Sequence, residues 1–165
     1  MPRTFSHGVH PEEHKEATAH LALERMPFVA KYTVPLSQHT GAPARPVVAV
    51  GDRVERGERI AEPGGFVSTT LHAPVAGRIV AIAPRPHPLG KLVEAIEIEA
   101  DPFSAQRLAV GQALDPATLD NPAFVTELQR AGLVGMGGAA FPTHVKYRLP
   151  EGRRLSRLLV NGCEC

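Results

Sequence analysis

The sequence predicts a mainly β N-terminal unit followed by the opening of an α/β segment, on three observations. Sixteen prolines among 165 residues are about twice the usual share of ~5%, and they divide the first hundred residues into pieces too short for long helices. Short apolar runs of strand length lie between Gly- and Pro-containing turns. Near the end, GMGGAAFPTHVK at 135–146 sets a glycine-rich loop in front of the helical HVKY. These features divide the chain into a β unit with its N-terminal extension at 1–100, a linker at 101–120 and a second segment at 121–165.

The extension contains PEEHKEATAHLALERM, whose helix-forming composition and loose apolar face of Ala17, Leu21 and Met26 predict a short helix. Four histidines fall here: His7, His10, His14 and His20. His10 and His14 stand one helical turn apart beside Glu13, but no third ligand converges on them, so they read as polar surface. Strands are expected at VVAV 47–50, ERIAE 58–62, FVSTTL 66–71, GRIVAIA 77–83 and LVEAIEIE 92–99. The last sets Val93, Ala95, Ile96 and Ile98 against Glu94, Glu97 and Glu99.

Between these strands, VAVGDRVERG at 48–57 and HAPVAGRIVAI at 72–82 resemble the two edges of a biotinyl or lipoyl carrier domain, a barrel-sandwich hybrid. Gly51–Asp52 supplies a turn, Gly57 opens the next strand, and Pro74 with Gly77 turns a corner. A carrier needs a lysine at the exposed hairpin position that Phe66 occupies, seven residues before the Ala73–Pro74 step. No prosthetic group can be attached to Phe66, so the unit is expected to act as a rigid docking module.

After the linker a helix is expected from Asn121 as N-cap, with Pro122 at its first position, Phe124, Leu128 and Ala131 on one face, and Gly132 closing it. Gly135, Gly137 and Gly138 then leave bare backbone N–H groups that can approach a phosphate. Thr143 begins a helix whose N-terminus is expected to point at the same anion, and Lys146 adds a positive charge. RLLVNG at 157–162 reads as the first buried strand of a parallel sheet, of which the rest would follow this sequence.

Composition narrows the function. Eighteen basic against seventeen acidic residues leave no basic field for nucleic acid; EGRRLSR at 151–157 reads as a solvated loop. No run approaches the roughly 18 apolar residues of a membrane span, and MPRTFSHGVH lacks the apolar core of a secretory signal. Cys163 and Cys165 are too close for a disulfide framework and too few for a four-ligand metal site, so free thiols are expected. No Ser/His/Asp or paired-carboxylate arrangement argues for hydrolysis.

GMGGAAFPTHVK followed by VNGCEC resembles the flavin-binding segment shared by the NADH-oxidising subunit of respiratory complex I and the RnfC component of the Rnf electron-transport complex. Gly135, Gly137, Gly138, Ala139, Phe141, Pro142, Thr143 and Lys146 match its pattern, as do Asn161 and Glu164. Ala140 and Cys163 stand where the complex I branch has glycine and aspartate, and NGCEC is similar to the Rnf version. FSHGVHPEEHKEAT and VPLSQHTGAPARPVVAVGDRVERGERIAE resemble the opening of RnfC proteins, so the resemblance runs through nearly the whole chain.

The resemblance implies a protein that oxidises NADH through FMN and passes electrons to 4Fe–4S clusters held beyond this sequence, within a complex coupled to ion transport. It implies that the backbone of Gly135, Gly137, Gly138 and Ala139 holds the ribityl phosphate and that Lys146 adds charge there. Asn161 would bond the flavin, Glu164 would contact flavin or nicotinamide ribose, and Phe141 is a stacking surface or a core residue. It further implies membrane-bound partner proteins and a cytoplasmic position peripheral to the cell membrane. The competing reading is a free-standing, non-catalytic docking module of lipoyl-like fold.

Overall fold

A computed structural model describes residues 12, 14–109, 111, 113–150, 152–153, 155–157 and 159. Among these residues, seven strands form two sheets: β1 (Lys31–Pro35), β2 (Arg45–Pro46), β3 (Arg53–Val54), β4 (Arg59–Glu62), β5 (Leu71–His72), β6 (Gly77–Pro86) and β7 (Leu92–Ala100). One sheet has the order β1-β7-β6-β3, the other β2-β4-β5, and every pair is antiparallel. One apolar core joins them, drawing Val34, Val54, Ile79, Ile96 and Ile98 from the first sheet and Ile60, Ala61 and Leu71 from the second. This is the expected mainly β unit.

β6 and β7 carry most of the sheet. Ile79 and Ile82 lie three apart, so an uninterrupted strand would send them to opposite faces. The register slips between Ile79 and Ala81, which puts Ile79 opposite Ile98 and Ile82 opposite Ile96, and both reach the core. Gly77 begins β6 because a Cβ there would stand 2.1 Å from the Glu99 carbonyl oxygen. The expected alternation in β7 is interrupted by Glu97, which is buried among its apolar neighbours. Its carboxylate is covered by Arg85 at 2.7 Å and Lys31 at 3.7 Å, and the Arg85 hydrogen bond foremost holds it below the usual carboxylate range.

Several expectations give way. Residues 15–21 form turns closed by Thr18 N–H and Ala19 N–H on the Lys15 carbonyl, and not a helix, because Ala17, Leu21 and Met26 find no core to bury them. VVAV at 47–50 makes one rung, Val47 N–H to Ile60 O, before Ala49–Asp52 turns the chain. FVSTTL contributes only Leu71 to a strand, since the backbone of residues 68–70 bonds elsewhere. Conversely, β1, β2 and β3 form where no strand was expected.

Past Ala100 the chain folds back on the barrel. Gln106 bridges Ala76 and Asp101, and Ala109 N–H donates to Arg56 O. A 3-10 turn at Pro116–Thr118 precedes α1 (Asn121–Arg130) and α2 (Thr143–Tyr147). The N-cap of α1 is Asp120 and not Asn121: its extended backbone lets Oδ1 accept from Ala123 N–H at 2.8 Å. Asn121 instead ties the helices together, donating to Tyr147 O and accepting from Leu149 N–H. Gly132, at φ +73°, follows the C-cap in the left-handed turn expected of it.

Candidate functional site

The glycine-rich segment is a closed loop with an exposed tip. Val134 bridges Pro142, Gly135 N–H donates to Phe141 O at 3.0 Å, and Thr143 N–H donates to Leu133 O at 2.9 Å. Met136 through Ala139 lie outside this closure and are exposed. Nothing stands within 4 Å of where a Cβ would be at Gly137 or Gly138. Among the described residues, no group accepts from the N–H of either glycine. Lys146, on α2, brings its ammonium to 3.5 Å from the Cβ position of Gly135, at the base of the loop.

Bare backbone N–H groups beside a cation fit the phosphate of a flavin nucleotide, which needs close backbone approach and positive charge. The expected helix contribution is smaller. α2 has five residues, and the Thr143 N–H is already spent on Leu133. Phe141 is half-buried and contributes its carbonyl to the closure. Asn161 and Glu164 lie outside the described residues, as do Cys163, Cys165, His7, His10 and most of the expected strand at 157–162.

The barrel holds this loop from below. Thr40 donates its hydroxyl to Ala139 O at 2.7 Å and its N–H to Ala140 O at 3.3 Å. Ala140 is thereby held at φ +50°, the left-handed region, at the position where the complex I pattern has glycine. Gln129, at the end of α1, spans residues 68–70: its side chain donates to Ser68 O, and its carbonyl accepts from the Thr69 hydroxyl and the Thr70 N–H. These bonds are why FVSTTL does not join a sheet along its length.

Two buried histidines that the sequence did not single out complete the junction. His39 Nε2 lies 3.0 Å from Ser68 Oγ, 3.2 Å from Ala42 O and 3.3 Å from Thr69 N. Burial foremost pushes its pKa down; the Ala42 bond acts the other way, and nearby His144 lowers it further. His144, within the motif, bonds through Nε2 to Phe66 O at 2.8 Å. The Nδ1 atoms of both rings are buried without a hydrogen-bond partner among the described residues. Their signals were HTG at 39–41 and THVK at 143–146, but only the packing shows the two meeting.

A barrel-sandwich β module whose loops grip a glycine-rich, cation-flanked loop defines a carrier-like domain fused to the start of a flavin-nucleotide-binding domain. The family model described as RnfC barrel sandwich hybrid domain matches residues 3–102, and that described as Nuo51 FMN-binding domain matches 128–165. The chain belongs to the RnfC family, of which it carries the N-terminal part. It is 38% identical over 162 residues to the C subunit of the Na(+)-translocating ferredoxin:NAD(+) oxidoreductase complex of Acetobacterium woodii, covering 98% of this chain and 37% of that protein. It is 37% identical over 165 residues to the C subunit of the proton-translocating ferredoxin:NAD(+) oxidoreductase complex of Clostridium ljungdahlii, covering 100% and 36%. To the C subunit of the ion-translocating oxidoreductase complex of Pseudomonas aeruginosa it is 39% identical over 164 residues, covering 98% and 21%. The chain thus spans about a third or less of these relatives' lengths. Among the described residues no helix is long and apolar enough to cross a membrane.

Proposed function

We propose that this chain is the front part of an electron-transport protein that exchanges hydride between NAD(H) and FMN and relays electrons to 4Fe–4S clusters held elsewhere in the protein. The observation that carries this reading is the exposed Gly137–Gly138 tip with Lys146 at its base, inside a segment matching an FMN-binding domain. FMN, when bound, supplies the conversion between a two-electron hydride and single electrons.

The chain's own residues bind and orient. The N–H groups of Gly137, Gly138 and Ala139 receive the phosphate, Gly135 closes the loop base through its N–H on the Phe141 carbonyl, and Lys146 beside it offsets the anion's charge. Asn161 and Glu164 take the flavin and ribose contacts that the family resemblance implies, and Phe141 borders the site. The barrel fixes the loop through Thr40 and His144, so hydrogen bonds from a folded module position the backbone amides.

Two of the relatives are named for complexes that work between ferredoxin and NAD(+). The same flavin step serves NADH oxidation and its reverse, so the reading holds for either direction. Other members of an ion-translocating complex are the proposed partners, and they hold the protein at the cytoplasmic face of the cell membrane. The test is anaerobic purification of the full-length protein. About one FMN per chain, bleached by NADH, is expected; a protein that retains no flavin after reconstitution with FMN would overturn the reading and favour the docking module.

A further inference from the structure

Away from the glycine loop, a cavity of about 630 Å³ opens where the barrel meets the end of α1; it is lined by Gly57, Arg59, His72, Ala109, Gly111, Arg130 and Ala131. It shares no residue with the glycine loop. Three basic side chains reach it from three elements. Arg59 on β4 stands directly across the ladder from His72 on β5, a like-charge placement that costs stability when the ring is protonated. Arg130 arrives from the last turn of α1, which Gln129 fixes against residues 68–70.

Acidic groups balance them only in part. Among the described residues, no carboxylate lines the cavity and Arg59 has no ion-pair partner. Arg130 bonds Glu127 through Nε alone, at 2.8 Å, which leaves the far edge of its guanidinium unengaged by that contact. The fold has gathered two guanidinium groups and an imidazole around one space, an arrangement that an anion would stabilise.

We propose that this cavity is a second anion site, which takes the phosphoryl end of a small phosphorylated compound. Two planar guanidinium forks and a ring N–H approaching from different elements suit a tetrahedral group with three oxygens better than a planar carboxylate. The volume lies in the range of small-molecule sites, and the small residues Gly57, Ala109, Gly111 and Ala131 leave room for the rest of the compound. His72 makes the binding sensitive to pH. Burial first, then Arg130 and Arg59, push its pKa down, so the ring holds a proton less readily while the cavity lacks an anion. An anion between the three groups reverses the effect of the arginines, the ring gains a proton, and affinity rises as pH falls.

The experiment titrates the full-length protein with pyrophosphate and follows the His72 ring by NMR, the resonance being assigned with His72→Gln. A saturable shift, with the ring's titration midpoint moved upward, is expected. Arg59→Ala and Arg130→Ala should each weaken binding at least roughly tenfold, the worth of one charge-assisted hydrogen bond, while flavin content stays unchanged. Arg59→Lys, which keeps the charge and loses the fork, checks the result against misfolding and should bind with intermediate affinity. A His72 resonance unmoved by pyrophosphate, one moved equally by sodium chloride at matched ionic strength, or undiminished binding in the Arg59/Arg130 double variant would overturn the proposal. A response to an acidic protein partner alone would overturn it as well.

Discussion

His144 Nε2 donates a 2.8 Å hydrogen bond to the carbonyl oxygen of Phe66, and the two rings meet edge to face at 5.7 Å. A carbonyl can only accept, so this bond fixes the proton on Nε2. Arg148 stacks over the Phe66 ring at 4.7 Å. Phe66 occupies the hairpin position where a carrier domain would bear its modified lysine. Here that hairpin is a latch between the barrel and the glycine-loop segment.

Removing the latch should loosen the loop. His144→Ala leaves a cavity and strips the Phe66 carbonyl of its donor, so a loss of about 2–4 kcal/mol is expected from comparable core truncations and unsatisfied carbonyls. Thermal unfolding of the full-length protein with and without FMN reads it. An unchanged midpoint would show that the contact is incidental.

Acid should weaken the same junction. The folded-state pKa of His39 lies below its ordinary value of 6.5, chiefly through burial, so below that pH the unfolded chain binds more protons than the folded one. Stability is therefore full above about 6.5 and falls as pH drops from there through the folded pKa. His72 contributes with the same sign. Chemical denaturation between about pH 5 and 8, the range in which histidine titrates, tests this, and His39→Gln should flatten the slope in that window.

The tip of the glycine loop should reject side chains only when the nucleotide is bound. Gly138→Leu meets nothing within 4 Å of its Cβ in the structure, so folding should be unaffected, while the side chain fills the space assigned to the phosphate. Loss of FMN with the barrel's circular dichroism unchanged is the expected result. Retention of FMN at the level of the parent protein contradicts the phosphate assignment.

Ala140 is strained where its neighbours are not. Its left-handed φ of +50° costs an alanine about 1–2 kcal/mol that a glycine is spared, partly offset by the greater freedom of glycine in the unfolded chain. Ala140→Gly should thus raise stability by about 0.5–1 kcal/mol, measured by denaturant titration. A destabilised variant would mean that the loop relaxes away from the left-handed turn.

Local chemistry made part of this protein legible. β6 and β7 showed as apolar runs of strand length, α1 as a proline-started, glycine-ended helix, and the exposed loop as closely spaced glycines before a lysine. Several residues departed from their local pattern because of the tertiary surroundings. FVSTTL has strand composition, yet Gln129, 60 residues beyond Thr69, takes its hydrogen bonds. PEEHKEATAHLALERM has helical composition but no surface on which to bury its weak apolar face. Glu97 looked like part of an exposed acidic row until Arg85 and Lys31 covered it.

The sequence by itself determined the class of fold, the family and the position of the glycine-rich loop, because turn geometry and strand patterning depend on residues close together in the chain. Tertiary structure alone decided how the barrel grips that loop through Thr40, Phe66 and His144, and which basic groups share the cavity at the end of α1. Most of those contacts join residues many tens of positions apart, and a hydrogen bond or a charge cluster of that kind exists only once packing has brought its members together.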